Sequence, residues 1–358
     1  MTERYLLAPG VEFWLPSGLT YENVSEFDVA FARHLQHDIY VARPVTIAPI
    51  ELGKLGLADV HSGPGYLVVC DGKAIKEHIP PWIEAKDELE EYANPANYTS
   101  ISGEILLVAR FGAGTWGHWL GELLPKIVMV ERAFPGRFRF AVPINFKASE
   151  RPTFLQSISA YNIGEDRLVF LYSGKVYRFL ECWGVSPVWS DHIMHPYAAE
   201  NMRCHLTEEP ARRSANRKIA LVRPDSDARV LENWPEIASV LAQEGFEFEN
   251  IASLSFLEQV QVFREARVLF SVLGSGLSGL IYSPIGVQVC SVAPSLFGDR
   301  FFYAMVLDRR GFYGDVRGPV CTPLAQIPHR SPFRVNANRV SDALGALESR
   351  KVKAWMPV

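Results

Sequence analysis

The chain has 358 residues, of which 48% are hydrophobic and 21% charged, and its formal net charge is -4. This length predicts about two domains with buried cores, and the charge balance provides no basic field that would attract nucleic acid. The five cysteines are widely spaced and include no C-x-x-C pair, which favours neither a disulfide framework nor a zinc site. Because no long apolar window and no signal-peptide pattern is visible, we expect a cytoplasmic protein that is at most peripheral to a membrane.

The first half of the chain is predicted to become an α/β layer after a region of short strands and turns. Pro and Gly are frequent in the first hundred residues, where a strand is indicated at 66–70. Strands and helices then alternate, which is typical of an α/β fold. The predicted elements are a strand at 105–109, a glycine-broken loop at 111–115, an apolar helix at 116–132, and strands at 138–144 and 167–171.

The second half begins after a charged segment at about 205–217, which is the best linker candidate. Four strands alternating with helices follow, so parallel strands with right-handed crossovers are expected, as in a Rossmann-like domain. The predicted strands are 218–222, 246–251, 268–273 and 287–292, and the helices are 231–244, 255–266, a short helix ended by Pro284, and 340–351. We therefore predict domains at 1–206 and 207–330, with a helix in 331–358 that packs back toward the first domain.

A glycine motif, G-x-G-x-x-G, occupies Gly274–Gly279 at the end of the predicted strand 268–273. Backbone N–H groups at the start of the following helix would suit a phosphate group. A dinucleotide site requires the motif after the first strand and an acid about 20 residues later, and neither condition is met. A purely structural role in close packing is also open.

Two arginines, Arg223 and Arg229, follow the strand end at 218–222 in the same domain. Because the carboxyl ends of parallel strands share one crevice, both guanidinium groups could bind a diphosphate resting on the glycine loop. A solvated turn with surface salt bridges is the alternative. Asp225 and Asp227 spell D-x-D, a metal-nucleotide signature in some transferases, but we interpret this turn as a simple loop.

Two further patterns are considered as functional sites, a group of histidines and an aromatic segment. Asp191, His192 and His195 lie close together with Cys204 and His205 nearby, but their spacing fits no metal site well, and we interpret them as loop residues, on the acceptor side if functional. The aromatic segment 301–313 could stack a base or a sugar, or belong to the core.

In their shared order, these residues resemble glycosyltransferase family 61, a DUF563-like family. The N-terminal family motif, N-x-x-H-w-l-x-D/E-x-l-P, is similar to Thr115–Pro125 (TWGHWLGELLP), and the resemblance covers about residues 104–315. The C-terminal family pattern comprises R-R, then R and N, an s-x-x-E-Q helix, H-G-A-G-L, and a strand ending in E-l-x-P. The corresponding residues here are Arg223, Arg229, Asn233, Ser255, Glu258, Gln259, Gly274, Ser275, Gly276, Leu277, Ser291 and Pro294.

The sequence departs from the family pattern at four positions. Thr115 stands in place of Asn, Pro224 in place of the second arginine, Leu273 in place of the loop histidine, and Ser291 in place of the strand-end glutamate. Ser291 would make a weaker contact with a donor ribose than a glutamate. These departures bear on the donor and on activity more than on the fold.

The resemblance implies a GT-B-like α/β architecture of two Rossmann-like domains facing a cleft, and an inverting glycosyltransferase that acts without metal or cofactor. The nucleotide-sugar donor would be bound by the C-terminal residues just given, and a glycan acceptor would be modified in bacterial surface or capsular polysaccharide synthesis. His118 and Glu122 share one helix face, so either could be the base and the other its orienting partner. An NAD(P)-dependent oxidoreductase and a degenerate, non-catalytic nucleotide-sugar-binding protein are the alternatives, and the oligomeric state is left open.

Overall fold

A computed structural model describes residues 3–15, 43–62, 66–70, 73–75, 95–110, 112–144, 151–190, 193–206, 215–223, 228–295, 297, 301–324 and 330–349. Three features singled out in the sequence lie outside these residues: the charged segment 207–214, the Asp191 and His192 pair, and the turn 224–227 that contains the D-x-D letters.

The chain is a mixed α/β protein that divides into two compact units. Unit 1 is formed by Met1–Val11, Ile47–Ser190 and His195–Glu208. Unit 2 is formed by Glu12–Thr46, Asp191–Met194 and Glu209–Val358. The strands β2 (Val11–Leu15) and β3 (Arg43–Ile47) pair with each other and lie almost entirely in unit 2. The division of the chain therefore differs from the prediction of one uninterrupted domain at 1–206.

Unit 1 is built on an eight-stranded mixed sheet with the order β6-β5-β4-β10-β7-β8-β9, and with β1 beside β4. The pairs β10–β7, β7–β8 and β8–β9 are parallel, whereas β4 pairs antiparallel with β1, β5 and β10. Its strands are β1 (Arg4–Ala8), β4 (Ile50–Ser62), β5 (Leu67–Cys70), β6 (Lys73–Ala74), β7 (Thr99–Leu107), β8 (Arg139–Pro143), β9 (Leu168–Leu171) and β10 (Lys175–Val185). Outside this sheet, the short strand β11 (Trp189–Ser190) belongs to unit 1 and the short strand β12 (Ile193–Met194) to unit 2.

The predicted apolar helix of unit 1 is confirmed, and it contains a π-helical turn. It begins as α1 (Trp116–His118), continues as the π-helix Trp119–Leu123, and resumes as α2 (Leu124–Ala133). Pro125 has no N–H to donate toward the carbonyl of Gly121, and that carbonyl instead accepts a hydrogen bond from the indole Nε1 of Trp189. Among the described residues, the unit also contains α3 (Arg151–Ser159), α4 (Pro196–Cys204) and a short 3₁₀ helix at Glu165–Arg167.

Unit 2 contains a five-stranded sheet in which every pair is parallel. The strands are β13 (Arg217–Leu221), β14 (Glu247–Glu249), β15 (Ala266–Val272), β16 (Gln288–Pro294) and β17 (Phe312–Gly318), in the order β14-β13-β15-β16-β17. This is the doubly wound order 2-1-3-4-5, whose direction reverses between β13 and β15. The four predicted strands are confirmed. The fifth, β17, begins within the aromatic segment 301–313, which therefore belongs to the core fold.

Helices follow the strands of unit 2, and all but α7 correspond to helices predicted from the sequence. They are α5 (Trp234–Gln243), α6 (Phe256–Glu265), a 3₁₀ helix at Ser275–Tyr282, α7 (Phe301–Asp308) and α8 (Ala337–Glu348). The capping box predicted at Ser255 and Glu258 is present in both directions.

The last helix, α8, differs from the prediction that it packs back toward the first domain. Its apolar face, which includes Val340, Leu344 and Leu347, joins the core of unit 2 with residues of β15 and β16. The reason is that burying this face against the sheet of its own unit removes it from water. Along the described residues, no helix is both long and apolar enough to cross a bilayer.

Candidate functional site

The first candidate site lies in unit 1 on the π-helical turn and is formed by Arg110, His118, Glu122 and Lys126, here called the His118–Glu122 cluster. Nδ1 of His118 lies 2.5 Å from Oε1 of Glu122, and Nη1 of Arg110 donates to Oε2 of the same carboxylate. Both carboxylate oxygens are therefore engaged. The Glu122 side chain is 12% exposed, whereas that of His118 is 38% exposed, so the imidazole is the more accessible of the two groups.

The electrostatics of the cluster keep Glu122 ionised. Burial on its own raises the pKa of the carboxyl group, but the hydrogen bond from His118 and the charges of Arg110 and Lys126 outweigh it and lower the pKa below its ordinary value. Burial lowers the pKa of Lys126 to about 8, against the attraction of Glu122. Nζ of Lys126 donates to the carbonyl of Val185 at 3.0 Å, which ties the helix to the end of β10.

The glycine-broken loop positions the other edge of the imidazole. Gly112 has φ +80°, and a Cβ atom at this position would lie 3.0 Å from Cδ2 and 3.1 Å from Nε2 of His118. The loop backbone can approach the ring this closely only because the residue is glycine. A neutral histidine whose Nδ1–H donates to a carboxylate has its lone pair on Nε2, so Nε2 is the nitrogen able to accept a proton.

The second candidate site lies in unit 2 and is formed by Arg223, Arg229 and Gly274, here called the arginine–glycine cradle. A Cβ atom added to Gly274 would lie 3.0 Å from Nη2 of Arg229 and 3.4 Å from Nη1 of Arg223. Arg223 follows β13 and Gly274 follows β15, so the cradle sits at the carboxyl edge where the strand order reverses. Ligands of open α/β sheets bind at that point. The predicted proximity of the arginines and the glycine loop is present in the structure.

Charge and backbone conformation in the cradle are both unusual. Burial lowers the pKa of Arg223 below its ordinary value, which means that its charge is poorly solvated. Arg229 has φ +55°, a left-handed conformation that costs free energy in a non-glycine residue and clusters at functional sites. Two guanidinium groups against one glycine repel each other, and an anion bound between them would relieve the repulsion.

The three glycines of the motif have three different environments. Gly274 is extended, with φ 167°, and a Cβ atom at this position would crowd the ends of both arginine side chains. Gly276 has space, because the nearest atom to an added Cβ would be Cγ2 of Ile251 at 3.6 Å. A Cβ on Gly279 would lie 2.1 Å from the ring of Phe263, so this glycine serves helix packing. Part of the motif is thus structural, as the packing alternative proposed.

Several predicted donor-binding residues are engaged within the fold. The amide of Asn233 donates to the carbonyl of Val335 at 2.8 Å and accepts from its N–H at 3.2 Å, which holds the chain segment before α8. The Glu258 carboxylate accepts from the backbone and the hydroxyl of Ser255, and the Gln259 amide donates to the carbonyl of Leu254 at 3.1 Å.

The remaining predicted donor-binding residues, in the glycine loop and on β16, are buried or half-buried. Leu273 and Leu277 are fully buried, while Ser275 and Gly276 are half-buried. The hydroxyl of Ser291 contacts Tyr313 Oη at 2.6 Å and donates to Asp315 at 3.1 Å inside the sheet. Its expected contact with a donor ribose does not fit this buried position. Leu273, Leu277 and Ser291 therefore have their contacts within the core.

Sequence reasoning missed a buried carboxylate beside Ser291. Asp315 of β17 lies in register with Ser291 of β16 and pairs with Arg317 at 2.7 Å, and both side chains are at most 3% exposed. The sequence signal was the alternation of Asp315 and Arg317 along β17, which places them on the same face of the sheet.

The residues considered for a metal site have other roles where they are described. His195 is fully buried, accepts a hydrogen bond from the N–H of Tyr197 at the start of α4, and contacts the carbonyl of Pro9 at 2.9 Å. Burial lowers its pKa despite the hydrogen bond with Pro9. Within the described part of the chain, no three His, Cys, Asp or Glu side chains converge as a metal site.

The comparison with protein-family models agrees with the resemblance seen in the sequence. The model of the family Glycosyltransferase 61 matches residues 116–290, a range that contains His118, Glu122 and the cradle. No match was found among curated proteins. Among solved structures, the chain is similar to the E. coli heptosyltransferase WaaC with ADP, with 12% identity and a TM-score of 0.29, over 61% of this chain and 94% of that chain. This match assigns residues 116–290, just under half of the chain, to glycosyltransferase family 61.

Proposed function

We propose that the protein is an inverting glycosyltransferase that moves a sugar from a nucleotide-sugar donor to a glycan acceptor in surface polysaccharide synthesis. The observation that carries this proposal is the convergence of Arg223 and Arg229 on Gly274 at the switch point of a parallel sheet. Within the matched family region, such a site suits the diphosphate of a nucleotide sugar. A GT-B-like cleft and a cytoplasmic location remain predictions from the sequence.

The cradle would hold the donor through its two phosphate groups. Guanidinium groups bind phosphate oxygens through paired N–H donors, and these charge-assisted hydrogen bonds are stronger than neutral ones. The N–H groups at the start of the 3₁₀ helix Ser275–Tyr282 add further donors on the same side. In this proposal the arginines, rather than a metal ion or a cofactor, neutralise the charge of the leaving nucleoside diphosphate.

His118 is the proposed general base, with Glu122 as its orienting partner. Glu122 is unsuited to accept a proton, because its pKa is lowered and both of its oxygens are engaged by His118 and Arg110. His118 is more exposed and has Nε2 on the side away from the carboxylate. The sequence left open which of the two residues is the base, and the proposal assigns this role to His118.

The reaction would be a single displacement at the anomeric carbon. The acceptor hydroxyl oxygen forms a bond to that carbon as the bond to the donor phosphate oxygen breaks, which inverts the configuration. The hydroxyl proton passes to Nε2 of His118, and the electron pair of the broken bond leaves with the nucleoside diphosphate. Arg223 and Arg229 stabilise the negative charge that develops on the leaving group.

A ligand panel tests the donor site. Thermal unfolding is measured with UDP, GDP, ADP, CDP and NADH, and we expect at least one nucleoside diphosphate to raise the melting temperature. Arg223→Gln should abolish this rise, while Arg203→Gln on α4 of unit 1, which is not part of the cradle, should retain it. Stabilisation by NADH alone would instead support the oxidoreductase alternative.

Catalysis requires a separate measurement, because a non-catalytic binding protein would pass the ligand panel. Hydrolysis or transfer of the sugar from the donor matching the bound nucleotide is followed in wild type and in His118→Asn. Activity in the wild type that is lost in the variant, with diphosphate binding retained, supports the transferase. Binding without any turnover across donors and glycan acceptors would identify a degenerate binding protein.

A further inference from the structure

A chain of contacts runs from β17, at one edge of the unit 2 sheet, to the segment beyond β16. Its core is the ion pair of Asp315 and Arg317, in which Nε of Arg317 donates to Oδ2 of Asp315 at 2.7 Å. Ser291 and Tyr313 contact each other beside the other carboxylate oxygen, Oδ1, to which Ser291 donates. These contacts fix the carboxylate, and the carboxylate fixes the plane of the Arg317 guanidinium group.

The other edge of Arg317 holds the backbone of Phe297. Nη1 of Arg317 donates to the carbonyl of Phe297 and contacts the carbonyl of Pro294 at 3.4 Å. The N–H of Phe297 also donates to the carbonyl of Pro294, at 3.0 Å. Phe297 is therefore anchored just after the carboxyl end of β16, on the edge of the sheet that carries the cradle.

The ring of Phe297 meets the cradle itself. The guanidinium carbon of Arg229 lies 4.6 Å from the centroid of this ring, within the range of a cation–π contact. The backbone of Arg229 is held as well, since its N–H donates to the carbonyl of Arg330 at 2.8 Å. A stacked guanidinium keeps its N–H groups in one plane and directs them outward from its edges.

We propose that Phe297 is a positioning residue that holds Arg229 in its phosphate-binding orientation, and that the Asp315–Arg317 pair supports it from within the sheet. This proposal rests on the proposed function, because it assumes that the cradle binds the donor diphosphate. Phe297 acts through Arg229 and does not contact the base or the sugar.

The test compares the affinity for a nucleoside diphosphate with the affinity for its nucleoside. Calorimetry is performed with the tightest binder among UDP, GDP, ADP and CDP and with the matching nucleoside. Phe297→Leu keeps an apolar side chain but removes the π face, and we expect diphosphate binding to weaken about threefold to thirtyfold. Nucleoside binding should not change. Phe297→Tyr should restore the diphosphate affinity, and Phe248→Leu on β14 is the matched control.

Three outcomes overturn the inference. Wild-type diphosphate affinity in Phe297→Leu means that Arg229 needs no aromatic support. An equal loss for the nucleoside means that Phe297 contacts the base directly. Failure of Phe297→Tyr to recover affinity excludes the stacking role. If Phe297→Leu does not fold, Phe297→Met replaces it. Absence of any diphosphate binding by the wild type contradicts the proposed function itself, which separates that failure from a failure confined to Phe297.

Discussion

Nδ1 of His118 lies 2.5 Å from Oε1 of Glu122, four residues later on the same helical segment. This contact fixes the orientation of the imidazole and leaves Nε2 for a substrate. His118→Asn should lower kcat by about 10²-fold to 10⁴-fold with little change in the donor KM, because a general base acts in the transition state. Steady-state kinetics check this, with His61→Asn on β4 as the control.

Glu122→Gln should also lower kcat, by about 10²-fold or more, because an amide no longer favours the proton on Nδ1 of His118. Donor affinity should remain close to that of the wild type, since the carboxylate is outside the cradle. If Glu122→Gln retained no activity while His118→Asn remained largely active, Glu122 rather than His118 would be the base.

Gly112 is expected to tolerate no larger residue. Gly112→Ala combines a left-handed backbone with a Cβ atom 3.1 Å from Nε2 of His118, so the loop or the ring must move. We expect kcat to fall at least about tenfold and the free energy of unfolding to decrease by about 1 kcal/mol. Gly136→Ala is the matched control, because it has φ +75° but an added Cβ meets nothing within 4 Å. Equal losses of activity in both variants would show that strain alone is responsible.

Substitutions of the three motif glycines should affect diphosphate binding and the stability of the fold differently. Gly274→Ala should weaken nucleoside diphosphate binding about tenfold, the loss expected for a displaced charge-assisted hydrogen bond, with little effect on folding. Gly279→Ala should instead destabilise the fold by about 1 to 3 kcal/mol, because the methyl group overlaps the Phe263 ring. Gly276→Ala should be close to wild type in both respects. Calorimetry and denaturant unfolding distinguish these effects, and unchanged binding in Gly274→Ala would exclude a ligand at the cradle.

Asp315→Asn should be among the most destabilising single changes in unit 2. It leaves the Arg317 charge buried without its carboxylate, and breaking one side of a buried pair costs about 3 to 5 kcal/mol. The double variant Asp315→Asn with Arg317→Met should recover part of the loss, because the uncompensated charge is removed. Denaturant unfolding measures both, and an additive loss in the double variant would contradict this explanation.

Lys126 should make stability depend on alkaline pH. Burial lowers its pKa to about 8 in the folded protein, although Glu122 partly counteracts this effect. Since the unfolded chain then binds the proton more tightly, the free energy of unfolding should rise between about pH 8 and the ordinary lysine value near 10.5. Below pH 8 this group contributes no further slope. Lys126→Met should lose the rise, and a parallel pH profile for both proteins would contradict the assignment.

The sequence was most informative where periodicity and strand ends determine position. The four predicted strands and the four predicted helices of unit 2 are confirmed, whereas α7 and β17 were not predicted. The proximity of Arg223, Arg229 and Gly274 is also confirmed, because parallel strands bring their carboxyl ends to one edge. The contacts of Asn233 and Ser291 could not be predicted from strand positions. Their hydrogen-bond partners, Val335 and Asp315, are distant in the chain, and sequence spacing does not report such contacts.

The roles of His118 and Glu122 and the position of α8 also depend on tertiary structure. The proposed roles of His118 and Glu122 depend on the burial of Glu122 and on its pairing with Arg110. Neither property can be read from the sequence motif. The position of α8 depends on which sheet has an uncovered apolar face. Amphipathicity predicts that such a helix is buried but not against which surface.

The π-helical turn at Trp119–Leu123 makes the number of residues in this segment a property of the candidate site. A π turn closes with i to i+5 hydrogen bonds and so accommodates one residue more than an α turn. Loss of a single residue within this turn would convert it into a regular α turn and leave the later side chains on their present faces. The buried face of α2 would then stay buried, and Lys126 would keep its position beside Val185. Natural variants should therefore lose one residue more readily within the π turn than elsewhere in α1 and α2, where each lost residue rotates the following side chains by about 100°.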